Sequence, residues 1–171
     1  MKEMLRYGVI LSVICVIASG LLAGVYSLAK PQIDKQAVAE LEISLMQVLP
    51  QAVSFEPVKS GEEILYYKGY TKEKKSAGIV FKATAKGYSS TIETLVGASR
   101  EGKIIAIKVI SQNETPGLGT RVTETTFTDQ FINKGVADMP KVSTISGATI
   151  SSSAVINTVK KKLEEIQKIA K

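Results

Sequence analysis

Seven hydroxyl side chains crowd the stretch STISGATISSSAV, Ser143 to Val155, around one Gly and two Ala. Ser and Thr at the mouth of a helix cap its unpaired backbone N–H groups, but one such residue suffices for that. Behind the cluster Val155, Val159, Leu163, Ile166 and Ala170 fall on one stripe, which predicts an amphipathic helix beginning at the hydroxyls. Orphan amides and the positive end of the helix dipole converge at such a point, and Gly147-Ala148 lets backbone approach a ligand closely. The chemistry this favours is anion binding, with phosphate the natural guest.

A second stretch, SQNETPGLGTR from Ser111 to Arg121, follows a predicted strand and sets Pro116 among Glu114, Thr115 and two glycines. Pro-Gly is ordinary in a hairpin turn, but no clean strand follows within a few residues, which favours a ligand-lining loop. A glycine there, such as Gly119, serves close approach or positive φ.

Composition removes most other site chemistry. The chain has no His, no Trp and one Cys, Cys15, inside an apolar run. The rest of the chain can build no Cys/His zinc site, four-Cys iron-sulfur site, haem attachment, disulfide, or His-based nucleophile pair. No EF-hand-type loop occurs, so no metal site is expected. The net charge of +6 comes from lysines scattered between Lys30 and Lys171. That pattern reads as a solvated surface, not a nucleic-acid face.

Several elements must position these stretches. Tyr7 to Ala29 carries no charge over 23 residues; as a helix it would be ~34 Å long, enough for a ~30 Å bilayer core. Its length favours a retained anchor, although SLA before Lys30 also fits a signal cleavage site. Lys2 and Arg6 before the span, against Lys30 and Lys35 after it, give a slight bias toward a cytoplasmic N-terminus. Val38, Leu41, Leu45 and Val48 predict a helix closed by Pro50. Strand-like runs start at Ile64, Ala77, Thr91 and Lys103, the last two joined as a hairpin by a turn at Arg100 to Gly102. Thr123 to Val136 reads as irregular helix with Phe127 and Phe131 on one face, a core pair.

Together ETPGLGT and SGATISS, about thirty residues apart, with GYSSTIETLVGA at Gly87 to Ala98 and the N-terminal apolar helix, carry a family resemblance. The chain resembles the G subunit of Rnf-type ion-translocating ferredoxin:NAD⁺ oxidoreductases. It also resembles a sister of that protein, the C subunit of Na⁺-translocating NADH:quinone oxidoreductases; the shorter length favours the former. The resemblance implies an α+β protein: a single transmembrane helix (1–30), a helical connector (31–50) and an FMN-binding domain (51–171) with a mainly antiparallel sheet flanked by helices.

The resemblance further implies FMN held by a phosphoester to Thr149, with Ser146, Gly147 and Ala148 shaping the turn. Glu114, Thr115, Gly117, Leu118 and Gly119 would line the isoalloxazine, with Tyr88 and Lys134 as further candidates. Ser143 stands where family members often carry Asp. Composition agrees, since flavin linkage through a ring carbon usually uses His or Cys and the soluble part has neither. The implied protein is an electron-transfer subunit in the inner membrane with its soluble domain outside the cytoplasm and no independent catalysis. Its implied partners include a second flavin subunit and iron-sulfur membrane subunits. A membrane-anchored, non-redox module for a phosphate-bearing ligand is the competing reading, and a structural subunit with an ordinary helix cap a third.

Overall fold

The computed structural model describes residues 2–61 and 63–169, so Ala170 of the expected stripe lies outside the described residues. A helix α1 (Lys2–Val48) is followed by strands β1 (Ser54–Ser60), β2 (Glu63–Tyr70), β3 (Ser76–Lys86), β4 (Thr91–Ala98) and β5 (Ile104–Ser111). A short helix α2 (Thr125–Thr128) lies among 3-10 turns, and a long helix α3 (Thr149–Ile169) ends the described chain. Two compact units result, Met1–Leu41 and Glu42–Lys171.

In the first unit the uncharged run from Tyr7 to Ala29 is helical, and none of its side chains is buried. Among the described residues α1 alone is long and apolar enough to cross a membrane. Pro31 sits inside it, which removes one backbone donor without ending the helix.

The second unit is built on an antiparallel meander of five strands in the order β1-β2-β3-β4-β5. The four strand runs read from β-branched and aromatic content are β2 to β5. β1, SFEPVKS, escapes that reading because it carries Pro57 and is largely exposed, the composition of a sheet edge. The expected hairpin turn closes through the Ser99 amide to the Lys103 carbonyl at 2.8 Å, with Gly102 at φ +76°.

One face of the sheet presents Phe81, Ala83, Ile92, Val96 and Ile107 to the buried stripe of α3, Val155, Val159, Leu163 and Ile166. Each such aliphatic side chain contributes about 1.5–3 kcal/mol on full burial. Phe127 and Phe131 complete this core edge-to-face, with ring centroids 5.3 Å apart. This packing lays α3 across β3 and β4.

The opposite face is covered by the last turn of α1 and the residues after it: Leu45, Val48, Leu49 and Ala52 are all buried. Two glycines permit that approach. A Cβ on Gly69 would stand 2.5 Å from a Leu49 methyl, and one on Gly97 would collide with the Val48 carbonyl, whereas one on Gly78 would meet the Ala98 carbonyl of the neighbouring strand. Backbone cannot yield as a flexible side chain does, so Gly97→Ala is expected to destabilise the second unit by about 1–3 kcal/mol. Gly135→Ala, whose nearest neighbours lie 3.9 Å away, is expected to stay within about 0.5 kcal/mol. Thermal unfolding of the full chain in detergent micelles checks the pair; equal midpoints would contradict the packing described.

Candidate functional site

A glutamate buried without a cation must find donors, because an unsatisfied buried charge costs several kcal/mol on the order-of-magnitude scale. Glu114, 4% exposed in the loop after β5, is the one buried acid among the described residues. Its carboxylate accepts hydrogen bonds from the Tyr88, Ser89 and Ser90 amides at 3.2, 3.1 and 2.8 Å. It also accepts from the Ser90 hydroxyl at 3.0 Å and the Ser151 hydroxyl at 2.7 Å. Three successive amides curled round one carboxylate form an anion nest at the β3–β4 turn. Burial pushes the Glu114 carboxyl up, but the Ser151 hydroxyl and then the Ser90 and Ser89 donors outweigh it, and the net direction is down.

Two glycines make room for this side chain. A Cβ on Gly87 would stand 2.6 Å from Glu114 Oε1, and one on Gly119 would stand 2.7 Å from both its Cβ and its Oε2. Gly119 therefore serves close approach, and positive φ falls on its neighbours. Thr115-Pro116-Gly117-Leu118 closes with the Leu118 amide on the Thr115 carbonyl at 3.1 Å, with Gly117 at φ +74°. Ile145-Ser146-Gly147-Ala148 closes likewise at 2.9 Å with Gly147 at φ +81°. Each is the signature of a type II turn, which needs glycine in the third position. The Arg121 guanidinium donates to the Ser146 carbonyl at 3.4 Å and ties the two turns together.

At the head of α3 the hydroxyls have separate tasks. Ser152 is fully buried, donates to the Ala148 carbonyl at 2.8 Å and accepts from the Ile145 amide at 3.1 Å, fixing the turn to the helix. Ser151 is committed to Glu114. Thr149, the first residue of α3, is exposed, and among the described residues its hydroxyl has no protein partner. The first-turn amides have no carbonyl within the helix to receive them and carry the positive end of its dipole.

These elements enclose a cleft of about 400 Å³ lined by Tyr88, Glu114, Thr115, Leu118, Gly119, Gly147, Ala148, Thr149, Ile150 and Ser151. Tyr88, Leu118 and Ile150 give it an apolar rim, exposed at 71%, 49% and 57%. Gly117 and Ser146 shape the two turns from outside the lining. Lys134 is not brought to the cleft: its carbonyl accepts the Ile104 amide at 2.9 Å, at the opposite end of β5. Sequence reasoning did not single out Ser90, Ser151, Gly87 or Ile150. The usable signal was the pairing of one acid in a Gly-bounded loop with two Ser-rich turns able to supply its donors.

An apolar-rimmed cleft of this size, with a free hydroxyl and unpaired amides at one end, suits an aromatic ligand bearing a phosphate. The chain carries an FMN-binding domain: the family model of that description matches residues 87–164, and one for the RnfG N-terminal region matches residues 1–48. The G subunit of the ion-translocating oxidoreductase complex of Methanosarcina acetivorans is 34% identical, with 92% of each chain covered. The G subunit of the proton-translocating ferredoxin:NAD(+) oxidoreductase complex of Clostridium ljungdahlii is 30% identical, over 91% of this chain and 88% of the relative. The Na(+)-translocating counterpart of Acetobacterium woodii is 30% identical, over 99% and 95%. The chain belongs to the family of G subunits of ion-translocating oxidoreductase complexes. The crystal structure of Shewanella oneidensis NqrC shares the fold, with a TM-score of 0.50, 20% identity and 66% of each chain covered.

The lowered Glu114 value has a pH consequence. The unfolded chain binds this proton near pH 4.5 and the folded chain only below it, so the carboxylate's stabilisation is present above that pH and lost as pH falls through the folded value. Denaturant unfolding of the full chain in micelles should show stability falling from pH 5 toward pH 3. Glu114→Gln should flatten that fall; an unchanged slope in the variant would place the titration elsewhere.

Proposed function

We propose that this chain is a membrane-anchored electron-transfer subunit of an Rnf-type ion-translocating ferredoxin:NAD⁺ oxidoreductase complex, carrying FMN as a phosphoester on Thr149. The observation that supports the attachment point most is the division of hydroxyls at the head of α3. Of the two on that segment that line the cleft, Ser151 is held by Glu114 and only Thr149 is free. A phosphate on Thr149 would meet the first-turn amides of α3 and the positive end of its dipole. Tyr88, Leu118 and Ile150 would pack on the isoalloxazine, and Gly147 would keep the approach open. Bound FMN supplies reversible electron storage, while the chain binds and orients it.

The relatives' names support partners within one complex, and the family resemblance extends these to a second flavin subunit and iron-sulfur membrane subunits. In this reading the chain has no independent catalytic activity. By the same reading it sits in the cytoplasmic membrane with a cytoplasmic N-terminus and an extracytoplasmic FMN domain, supported by the family resemblance together with the slight bias of Lys2 and Arg6 before the apolar run over Lys30 and Lys35 after it. Protease added to sealed, right-side-out cells should therefore remove the domain; full protection would place it inside.

Thr149→Ala is the direct test. The hydroxyl makes no cap bond, so its loss should change stability by no more than about 0.5 kcal/mol, while the covalent flavin disappears. Tandem mass spectrometry of the peptide spanning Ser143 to Lys160, from native membranes, should find the mass of FMN less one water on Thr149. Thr149→Ser should be modified in part. An unmodified native peptide, or flavin on Ser151, would overturn the assignment, and a colourless protein would favour a non-redox phosphate-ligand module.

A further inference from the structure

Glu114 is the one buried titratable group among the described residues that lines the cleft, and every donor to it is neutral: three amides and two hydroxyls. Among the described residues no lysine or arginine forms an ion pair with it; the cation expected nearby, Lys134, is at the far end of β5. Hydrogen bonds from neutral groups hold the proton off the carboxylate but leave its formal charge uncancelled. Inside a protein that charge is screened far less than at a water-facing site. Glu93 is half-buried, Glu124 is exposed, and each has its own cation. Glu93 is paired with Lys82 at 3.2 Å, and Glu124 lies 3.6 Å from Arg121.

We infer that Glu114 is a positioning residue whose fixed negative charge, set in the wall of the flavin cleft, holds the reduction potential of the bound flavin down. The inference rests on the FMN reading above. When the isoalloxazine accepts two electrons from a partner and one proton from solvent, the ring gains one net negative charge. That charge develops beside a carboxylate that cannot move away, because its donors lie on the β3–β4 turn and on α3. Reduction is thereby opposed. By reciprocity, reduction of the flavin must raise the affinity of Glu114 for a proton by the same factor.

Gln is nearly isosteric with this acid but does not match the donors that surround it. A neutral amide would leave the Ser90 and Ser151 hydroxyls free to turn, but would put an N–H₂ group against backbone donors. The hydrogen bonds alone favour the acid for packing. The uncancelled charge is what bears on electron transfer, and a purely structural role would leave the potential unmoved.

The test is a spectroelectrochemical titration of the full-length, covalently flavinylated protein in micelles. Glu114→Gln should raise the midpoint potential, shifting the equilibrium constant for reduction by about tenfold or more, the size expected of one poorly screened charge. Glu114→Asp, which keeps the charge, should remain near the unaltered protein. Should Glu114→Gln fail to fold or load flavin, the unaltered protein decides. With ¹³C-labelled glutamate, its reduced-minus-oxidised infrared difference spectrum should show a carboxylate band shifting or giving way to a protonated carboxyl. Unchanged potentials across the variants, or a difference spectrum with no labelled glutamate band, would overturn the inference. Absence of flavin from the unaltered protein would instead overturn the FMN reading on which it rests.

Discussion

A single buried carboxylate dictates how the second unit ends its sheet. Glu114 can leave water only if its lone pairs are met, and the groups that meet them come from two places distant in sequence, the β3–β4 turn and the first turn of α3. Charge-assisted hydrogen bonds of this kind contribute about 1.5–3 kcal/mol each. The larger effect is the penalty for losing one, which makes the three segments move as one body. Gly87 and Gly119 are the steric counterpart, since any side chain at either would occupy the carboxylate's space.

Because Glu114 takes the Ser151 hydroxyl and Ser152 is spent on closing the Ile145–Ala148 turn, the dense hydroxyl cluster leaves Thr149 open at the cleft. Local chemistry thus follows from a global constraint: α3 is clamped to the sheet by Val155, Val159, Leu163 and Ile166, and its first turn is clamped by Glu114. On the other face of the sheet, the end of α1 is keyed in through Gly69 and Gly97. The covering of both faces leaves the strand ends, where the turns lie, as the place for a ligand.

Much of this was legible in the sequence. β2 to β5 announce themselves by β-branched and aromatic runs, α3 by its apolar stripe, and the two ligand-side turns by Pro-Gly and Ser-Gly-Ala. β1 was not legible, because an exposed edge strand interrupted by Pro57 offers only Phe55 and Val58 as apolar residues, and these do not alternate. The roles of Gly119 and Glu114 were hidden for a different reason. A glycine reserved for close approach and one reserved for positive φ look alike in sequence, and the donors of Glu114 lie 24 to 37 residues away along the chain. Lys134, a candidate from the family resemblance, lies outside the cleft because its backbone pairs with Ile104 at the far end of β5.

An experimental density map of the full chain purified from native membranes is the most direct examination of the central claim. The prediction is continuous density from the Thr149 hydroxyl oxygen through a phosphate at the head of α3 into a flat ring system. That ring should lie in the cleft between Tyr88, Leu118 and Ile150, with the Glu114 carboxylate beneath it still held by the Ser89, Ser90 and Ser151 donors. Density for the flavin on another residue, or a Glu114 side chain turned out to solvent beside an intact cleft, would contradict it.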